Sequence, residues 1–142
     1  MRSSLFSVSY AGFWGQAALP LTEFIARAGK LGFASVMIAG KRPHLSPLDA
    51  SPQKLEEVQA ALRQAGVTCD VIAGYTNLAP GRAAEVPDAE FQIAYVESLA
   101  RIAAKVGAQI VRIFTAYETE GNDPTALWRR VVAIVREMCD RA

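Results

Sequence analysis

The 142-residue sequence has few cysteines, no excess of charge of one sign and no long apolar run. Its two cysteines, Cys69 and Cys139, cannot build a framework of disulfides, so we expect two buried free thiols in a reducing compartment. No apolar stretch approaches the ~20 residues that would span a bilayer. Residues Met1–Tyr10 alternate apolar side chains with serine and lack the continuous apolar segment of a secretory signal. These absences predict a soluble cytoplasmic protein with no membrane partner.

Charge and glycine patterns exclude two further classes of function. The 15 basic and 14 acidic residues give a formal net charge of +1, and the lysines and arginines form no stripe. Phosphate backbones are contacted by clustered Lys and Arg, so we expect no nucleic-acid partner. The glycines form neither a GxGxxG nor a Walker loop, the usual phosphate-binding motifs. The sequence is therefore that of a nearly neutral globular domain, long enough to bury a core without disulfides.

Four strand-like segments alternate with four helix-like segments along the chain. The predicted strands are Leu5–Tyr10, Ser35–Ala39, Val67–Ala73, which Asp70 interrupts, and Ile110–Phe114. A predicted helix follows each strand, and the last three begin at capping residues: Ser51, Asp88 and Asp123. Each of the first three helices is closed by a glycine: Gly32, Gly66 and Gly107. Strict alternation of this kind implies a parallel sheet with right-handed crossovers.

The number of units sets the predicted fold class. A complete (βα)₈ barrel has ~250 residues, whereas this chain has four units in 142. Open flavodoxin-like sheets mostly have a fifth strand, and the sequence shows none. We therefore predict an α/β fold: four βα units with parallel strands, a single domain over residues 1–142 that forms half of a (βα)₈ TIM barrel. Dimerisation would complete the barrel, because two copies can pair their open sheet edges.

Several loop sequences together resemble a known family. They are the segment from Gly40 to Asp49 (GKRPHLSPLD), the preceding Tyr10, Trp14 and Pro20-Leu21, the third strand end Ala73–Thr76, and the fourth strand Val111–Thr115. The combination resembles the sugar phosphate isomerase/epimerase family, the xylose-isomerase-like TIM barrels, over the first half of the family's barrel. The resemblance implies the N-terminal half of a metal-dependent isomerase or epimerase acting on a sugar or sugar phosphate.

The resemblance also implies what this chain lacks. Family members bind a divalent metal, Mn²⁺ or Mg²⁺, through Glu, Asp, His and Glu side chains that begin on strand five. The sequence ends before a fifth strand, so we assign no metal ligand in it and expect weak or no turnover from the chain alone. A non-catalytic half-barrel that pairs with a second copy or a complementary half is the alternative. A DNA-repair endonuclease on the same scaffold is disfavoured, because the chain lacks clustered basic residues.

The resemblance transfers a set of rim residues. Substrate binding is predicted for Tyr10, Trp14, Lys41, Arg42, Tyr75 and Arg112, and a catalytic role for His44 and Glu118. Imidazole titrates near neutrality, so His44 is interpreted as a substrate contact or proton carrier, against a solvated loop residue. Arg112 has two equal interpretations, an ion pair with Asp70 or a contact to an anionic substrate. For Lys41, Arg42 and Glu118 the alternative is an exposed loop residue that aids solubility.

Overall fold

The computed structural model describes residues 3–81, 84–117, 121 and 123–142. Its strands and helices are β1 (Ser4–Phe6), α1 (Leu21–Lys30), β2 (Ser35–Ala39), α2 (Pro52–Ala65), β3 (Thr68–Ala73), α3 (Asp88–Val106), β4 (Ile110–Arg112) and α4 (Pro124–Arg141). Within this described part, the strands form one parallel sheet in the order β1-β2-β3-β4. The predicted α/β fold of four βα units is confirmed. No helix among the described residues is both long and apolar enough to cross a membrane.

The helix ends follow the predicted capping chemistry with one exception. Ser51 Oγ accepts a hydrogen bond from the Lys54 amide, and the Asp123 carboxylate accepts from the amides of Thr125 and Ala126. The predicted cap at Asp88 is wrong, because Pro87 occupies the cap position and makes no side-chain hydrogen bond there. Asp88 is instead the first helical residue, where its charge is favourable to the helix dipole.

Two strands end earlier than predicted, and a side-chain hydroxyl causes both endings. Ser7 Oγ is buried and accepts the hydrogen bond of the Ala39 amide, so β1 stops at Phe6 and a 3-10 turn follows. Thr76 Oγ1 likewise accepts from the amide of Phe114 at 3.0 Å, beyond the end of β4 at Arg112. In both places a hydroxyl replaces the backbone partner that a longer strand would need.

The outer face of the sheet and the helices share the main core. Phe24, Ile25, Val36, Ile38 and Leu99 have no exposed surface. One prediction about burial is wrong, because Cys139 is an exposed free thiol. Phe91 on α3 is also 62% exposed. Cys69 is buried as predicted, and burial raises the pKa of its thiol to about 12.

The inner face of the sheet presents one apolar row. Phe6, Met37, Val71 and Ile110 are aligned across the four strands, each paired with the next. Side chains alternate between the faces of a strand. Since Val36 and Val111 pack into the core on the outer side, the row faces inward, where a complete barrel has its interior. Ile110 is 55% exposed, so part of this row is accessible to solvent.

Helix α3 packs closely on the ends of β2 and β3. A Cβ added at Gly40 would lie 2.7 Å from Leu99 Cδ2, and one added at Gly74 would lie 2.9 Å from Leu99 Cδ1. Gly74 is also close to the backbone, since its added Cβ would lie 3.0 Å from the Arg112 carbonyl oxygen. Glycine is therefore required at both strand ends for Leu99 to sit against the sheet.

Replacing Leu99 should therefore destabilise the whole fold. We expect Leu99→Ala to lower the free energy of unfolding by about 2–5 kcal/mol, through lost burial and the cavity that remains. The matched control is Leu48→Ala, because Leu48 is 82% exposed. The control should change stability by less than about 0.5 kcal/mol. Urea unfolding followed by circular dichroism measures both, and equal effects would contradict the described packing.

Candidate functional site

Three of the predicted substrate-binding residues meet at the carboxyl ends of the strands. Lys41 follows β2, Tyr75 follows β3 and Arg112 ends β4. Lys41 Nζ lies 4.0 Å from the centroid of the Tyr75 ring, and the Arg112 guanidinium carbon lies 5.1 Å from it. We call Lys41, Tyr75 and Arg112 the rim cluster. In parallel α/β sheets this edge is where ligands bind, so the rim cluster lies where a ligand site is expected.

Arg112 is held by aromatic rings rather than by a carboxylate. Its guanidinium carbon lies 4.3 Å from the Phe114 centroid and 5.8 Å from that of Phe6. Phe6 belongs to β1, on the opposite edge of the sheet from β4. The contact between the two edges means that the sheet curves and that Arg112 lies on its concave side.

Of the two interpretations of Arg112, the ion pair with Asp70 is wrong. Arg112 is aligned with Ala73, three residues further along β3 than Asp70, and its guanidinium lies among the rings. The Asp70 carboxylate accepts a hydrogen bond from Thr68 Oγ1 at 2.8 Å, at the amino end of the strand. The pairing skips Asp70, since Val36 pairs with Cys69 and Met37 with Val71. The interruption that Asp70 was predicted to cause is this irregularity.

Phe13 was missed by the sequence analysis and takes the position expected of Trp14. Lys41 Nζ lies 4.5 Å from the Phe13 centroid. The Trp14 ring packs edge-on against Phe13, with centroids 5.9 Å apart, and Trp14 is 76% exposed. A bridge between Ala11 and Ala18 closes this loop, with Trp14 near its tip. Trp14 therefore meets the rim cluster only through Phe13.

Two hydroxyl groups hold the strand ends in place, and neither was singled out from the sequence. The Tyr95 hydroxyl on α3 donates to the Gly40 carbonyl at 2.7 Å and accepts from the Tyr75 amide at 3.3 Å. Thr76 is buried, and its hydroxyl donates to the Phe114 carbonyl. Backbone positions beside Lys41, Tyr75 and Arg112 are thus tied to one another. Only the three-dimensional neighbourhood reveals these roles, because Tyr95 lies 55 residues from Gly40.

The Tyr75 hydroxyl is buried and makes no well-directed hydrogen bond with the described residues, although the Arg112 guanidinium lies close enough to interact with it. Burial raises the pKa of Tyr75, and the nearby charge of Arg112 opposes that increase. The hydroxyl therefore stays protonated at neutral pH and can donate a hydrogen bond to a ligand. A buried polar group without a partner is unfavourable, which makes this atom a marker for a missing ligand or water.

His44 and Tyr10 lie against α1 instead of in the rim cluster. The His44 ring stacks on Phe24 at 6.1 Å, and the Tyr10 ring lies 6.0 Å from the same residue. His44 is only 4% exposed, so its interpretation as a solvated loop residue is wrong. Its Nε2 atom lies 3.4 Å from the Leu19 carbonyl oxygen, while Nδ1 is buried without a described partner. A proton-carrier role for His44 stays a prediction.

Arg42 is turned away from the rim cluster. Its guanidinium donates two hydrogen bonds of 2.7 Å to the carboxylate of Asp49, and its side chain is 67% exposed. Arg42 lowers the pKa of Asp49 chiefly through this hydrogen bonding, so the pair remains ionised at neutral pH. Such an exposed, neutralised pair is worth little to stability and leaves Arg42 little charge for a substrate. Glu118, the second predicted catalytic residue, lies outside the described residues.

The divalent metal that the family resemblance implies finds no binding site in the described part of the chain. No three His, Cys, Asp or Glu side chains come together there. Mn²⁺ and Mg²⁺ require several oxygen or nitrogen ligands around one point, and the rim cluster offers two cations and a phenol. These residues therefore do not fit a metal.

Burial of His44 should make the fold sensitive to acid. Because burial lowers the pKa of His44 below 6.5, the unfolded chain takes up a proton first as the pH falls. The stability that comes from keeping His44 neutral and buried is fully present above the unfolded-state pKa of the imidazole. It is lost as the pH falls toward the folded-state pKa. His44→Gln, which cannot titrate, should lose less thermal stability than the wild type between about pH 7.5 and about pH 5.5. Equal losses, measured by circular dichroism melting, would contradict the burial of a neutral imidazole.

Comparison with solved structures shows the same fold in longer proteins. D-psicose 3-epimerase from Clostridium cellulolyticum H10, solved with D-tagatose, is 22% identical with a TM-score of 0.75, covering 99% of this chain and 48% of that chain. 3-keto-D-glucoside 4-epimerase from E. coli is 18% identical with a TM-score of 0.65, and the match covers 99% of this chain and 52% of that chain. AP endonuclease, family 2, from Brucella melitensis is 18% identical with a TM-score of 0.64, and the match covers 99% of this chain and 51% of that chain. The chain thus spans about half the length of these proteins, as expected for half of a TIM barrel.

Sequence comparison identifies the family. No curated protein sequence matches the chain. The model of the xylose isomerase-like TIM barrel family matches residues 25–142, which is most of the sequence. With the four βα units, the coverage of half a barrel and the rim at the carboxyl ends of the strands, the chain belongs to the xylose isomerase-like TIM barrel family.

Proposed function

We propose that this chain is the substrate-binding half of a sugar isomerase or epimerase of the (βα)₈ type. The observation that carries the proposal is the rim cluster, which places two cations and a phenol with a buried hydroxyl at the edge of the sheet where family barrels bind ligands. Membership of the family and the sugar epimerases among the structures of similar fold support it. Residues 1–142 would form one half-barrel domain, acting in the cytoplasm on a sugar or sugar phosphate.

The described residues suit binding and orientation of a substrate. Aromatic faces such as Tyr75 and Phe114 can stack on the apolar face of a sugar ring and exclude water. Lys41 and Arg112 can donate hydrogen bonds to substrate oxygens. The divalent metal and the carboxylates that transfer protons would belong to a complementary half-barrel, while His44 and Glu118 remain catalytic candidates in this chain. We assign this half binding and none of the metal chemistry.

A half-barrel that assembles with a partner is the second candidate. The inward-facing row of Phe6, Met37, Val71 and Ile110 supports it, because an apolar sheet face open to water favours association. Among the described residues, β1 and β4 each pair with a single neighbour, so each leaves one edge unpaired. A second copy, or a complementary half of a family barrel, would cover both.

The enzymatic proposal predicts binding without turnover for the chain alone. D-fructose should shift the amide NMR signals of Tyr75 and Arg112, because the rim residues are in place. Epimerisation of D-fructose with added Mn²⁺, followed by chromatography, should be weak or undetectable, because the metal ligands are proposed to lie in a complementary half-barrel. Robust epimerisation by the isolated chain would show that the division of roles is wrong. Absence of any shift at the rim would contradict substrate binding there.

The assembly proposal predicts a dimer that depends on the apolar row. Light scattering should give the mass of two chains, and Ile110→Glu should convert the dimer to a monomer, since a charge in the row opposes its burial. Phe91→Glu is the matched control, because Phe91 is a similarly exposed apolar residue on α3. It should leave the dimer intact. A folded wild-type monomer would contradict assembly through this face.

A further inference from the structure

The rim cluster contains two positive charges that share one aromatic ring. Lys41 Nζ lies 4.0 Å from the Tyr75 centroid, and the Arg112 guanidinium carbon lies 5.1 Å from it. The separation of the two charged groups is therefore at most the sum of these two distances. Both residues are partly buried. Like charges repel, and the repulsion increases where water is partly excluded. The arrangement therefore favours a nearby negative charge.

No carboxylate among the described residues supplies that charge. The four ion pairs described for the chain all lie elsewhere: Arg42–Asp49, Lys54–Glu57, Arg101–Glu97 and Arg141–Glu137. Among the described residues, the charged groups of Lys41 and Arg112 lie over aromatic rings, and Phe13 adds a ring to Lys41 as Phe114 does to Arg112. A cation over an aromatic face gains roughly 0.5–2 kcal/mol, which orients the cation but leaves its charge uncompensated.

A third donor points to the same ligand chemistry. The buried Tyr75 hydroxyl makes no well-directed hydrogen bond with the described residues, and it belongs to the ring that both cations contact. Tyr95 holds the Tyr75 backbone and that of Gly40, the neighbour of Lys41, so the donors are fixed before any ligand arrives. A planar guanidinium, an ammonium and a phenol together match the several oxygens of one oxyanion.

The geometry points to an oxyanion subsite formed by Lys41, Tyr75 and Arg112, which takes a carboxylate or phosphate group of the sugar substrate. This inference rests on the proposed function and narrows it, because a neutral ketose has no group that needs two cations. Arg42 takes no part, since Asp49 already occupies its guanidinium.

Calorimetry on the full chain tests the inference with four probes: D-ribulose 5-phosphate, D-gluconate, D-fructose and inorganic phosphate. We expect at least one of the two charged sugars to bind about tenfold or more tightly than D-fructose, as charge-assisted hydrogen bonds would give. Its affinity should fall as salt is raised. Binding of D-ribulose 5-phosphate alone would identify the group as phosphate, and binding of D-gluconate alone as carboxylate.

Substitutions in the rim cluster show whether the charged sugar binds there. Lys41→Gln and Arg112→Gln should each weaken binding of the charged sugar about tenfold and weaken binding of D-fructose much less, because D-fructose offers no charged group to either side chain. The matched controls are Lys30→Gln and Arg63→Gln, which lie in the last turns of α1 and α2, at the opposite end of the sheet. Tyr75→Phe keeps the ring and removes only the hydroxyl. It should also weaken the charged sugar, and it provides the test should a cation variant fail to fold.

The outcomes separate the subsite from the proposed function. If D-fructose binds as tightly as the charged sugars, and the substitutions weaken the binding of both equally, the oxyanion subsite is wrong and sugar binding stands. If inorganic phosphate binds and Arg112→Gln abolishes that binding while no sugar binds, the subsite stands and the sugar function is wrong. If no anion binds, the subsite is overturned.

Discussion

Close packing of α3 on the ends of β2 and β3 is the constraint on which the candidate site depends. Leu99 lies against Gly40 and Gly74, where an added Cβ would be within 3 Å of it. One turn earlier, the Tyr95 hydroxyl bonds the Gly40 carbonyl and the Tyr75 amide. The residues that follow these two glycines, Lys41 and Tyr75, therefore start from fixed backbone positions. Stability and ligand geometry thus share one helix face, so substitutions on it should affect both.

Curvature of the sheet provides the other half of the site. Arg112 at the end of β4 reaches the ring of Phe6 on β1, which is possible only because the strands bend around a concave face. The same curvature aligns the apolar row that a complementary half would cover. In the proposed enzyme, this half would supply aromatic surface and positive charge, and the other half the metal and the proton-transferring carboxylates.

The sequence predicted the order of elements well because apolar periodicity and capping residues are local signals. Ser51 and Asp123 cap their helices as expected, and β2 has its predicted bounds. The ends of β1 and β4 were misjudged, because hydroxyls of Ser7 and Thr76 replace backbone partners that lie over thirty residues away. Contacts of this kind leave no periodic pattern.

The site was predicted in part for the same reason. The family resemblance brought Lys41, Tyr75 and Arg112 forward, and the structure places them together. It could not show that Arg42 is taken by Asp49, that His44 is buried beside Phe24, or that Phe13 replaces Trp14. The most direct test of ligand binding at the rim cluster is a map of amide NMR shifts on adding D-ribulose 5-phosphate. Binding there predicts the largest shifts at Lys41, Tyr75 and Arg112, whereas shifts confined to the outer helices would contradict it.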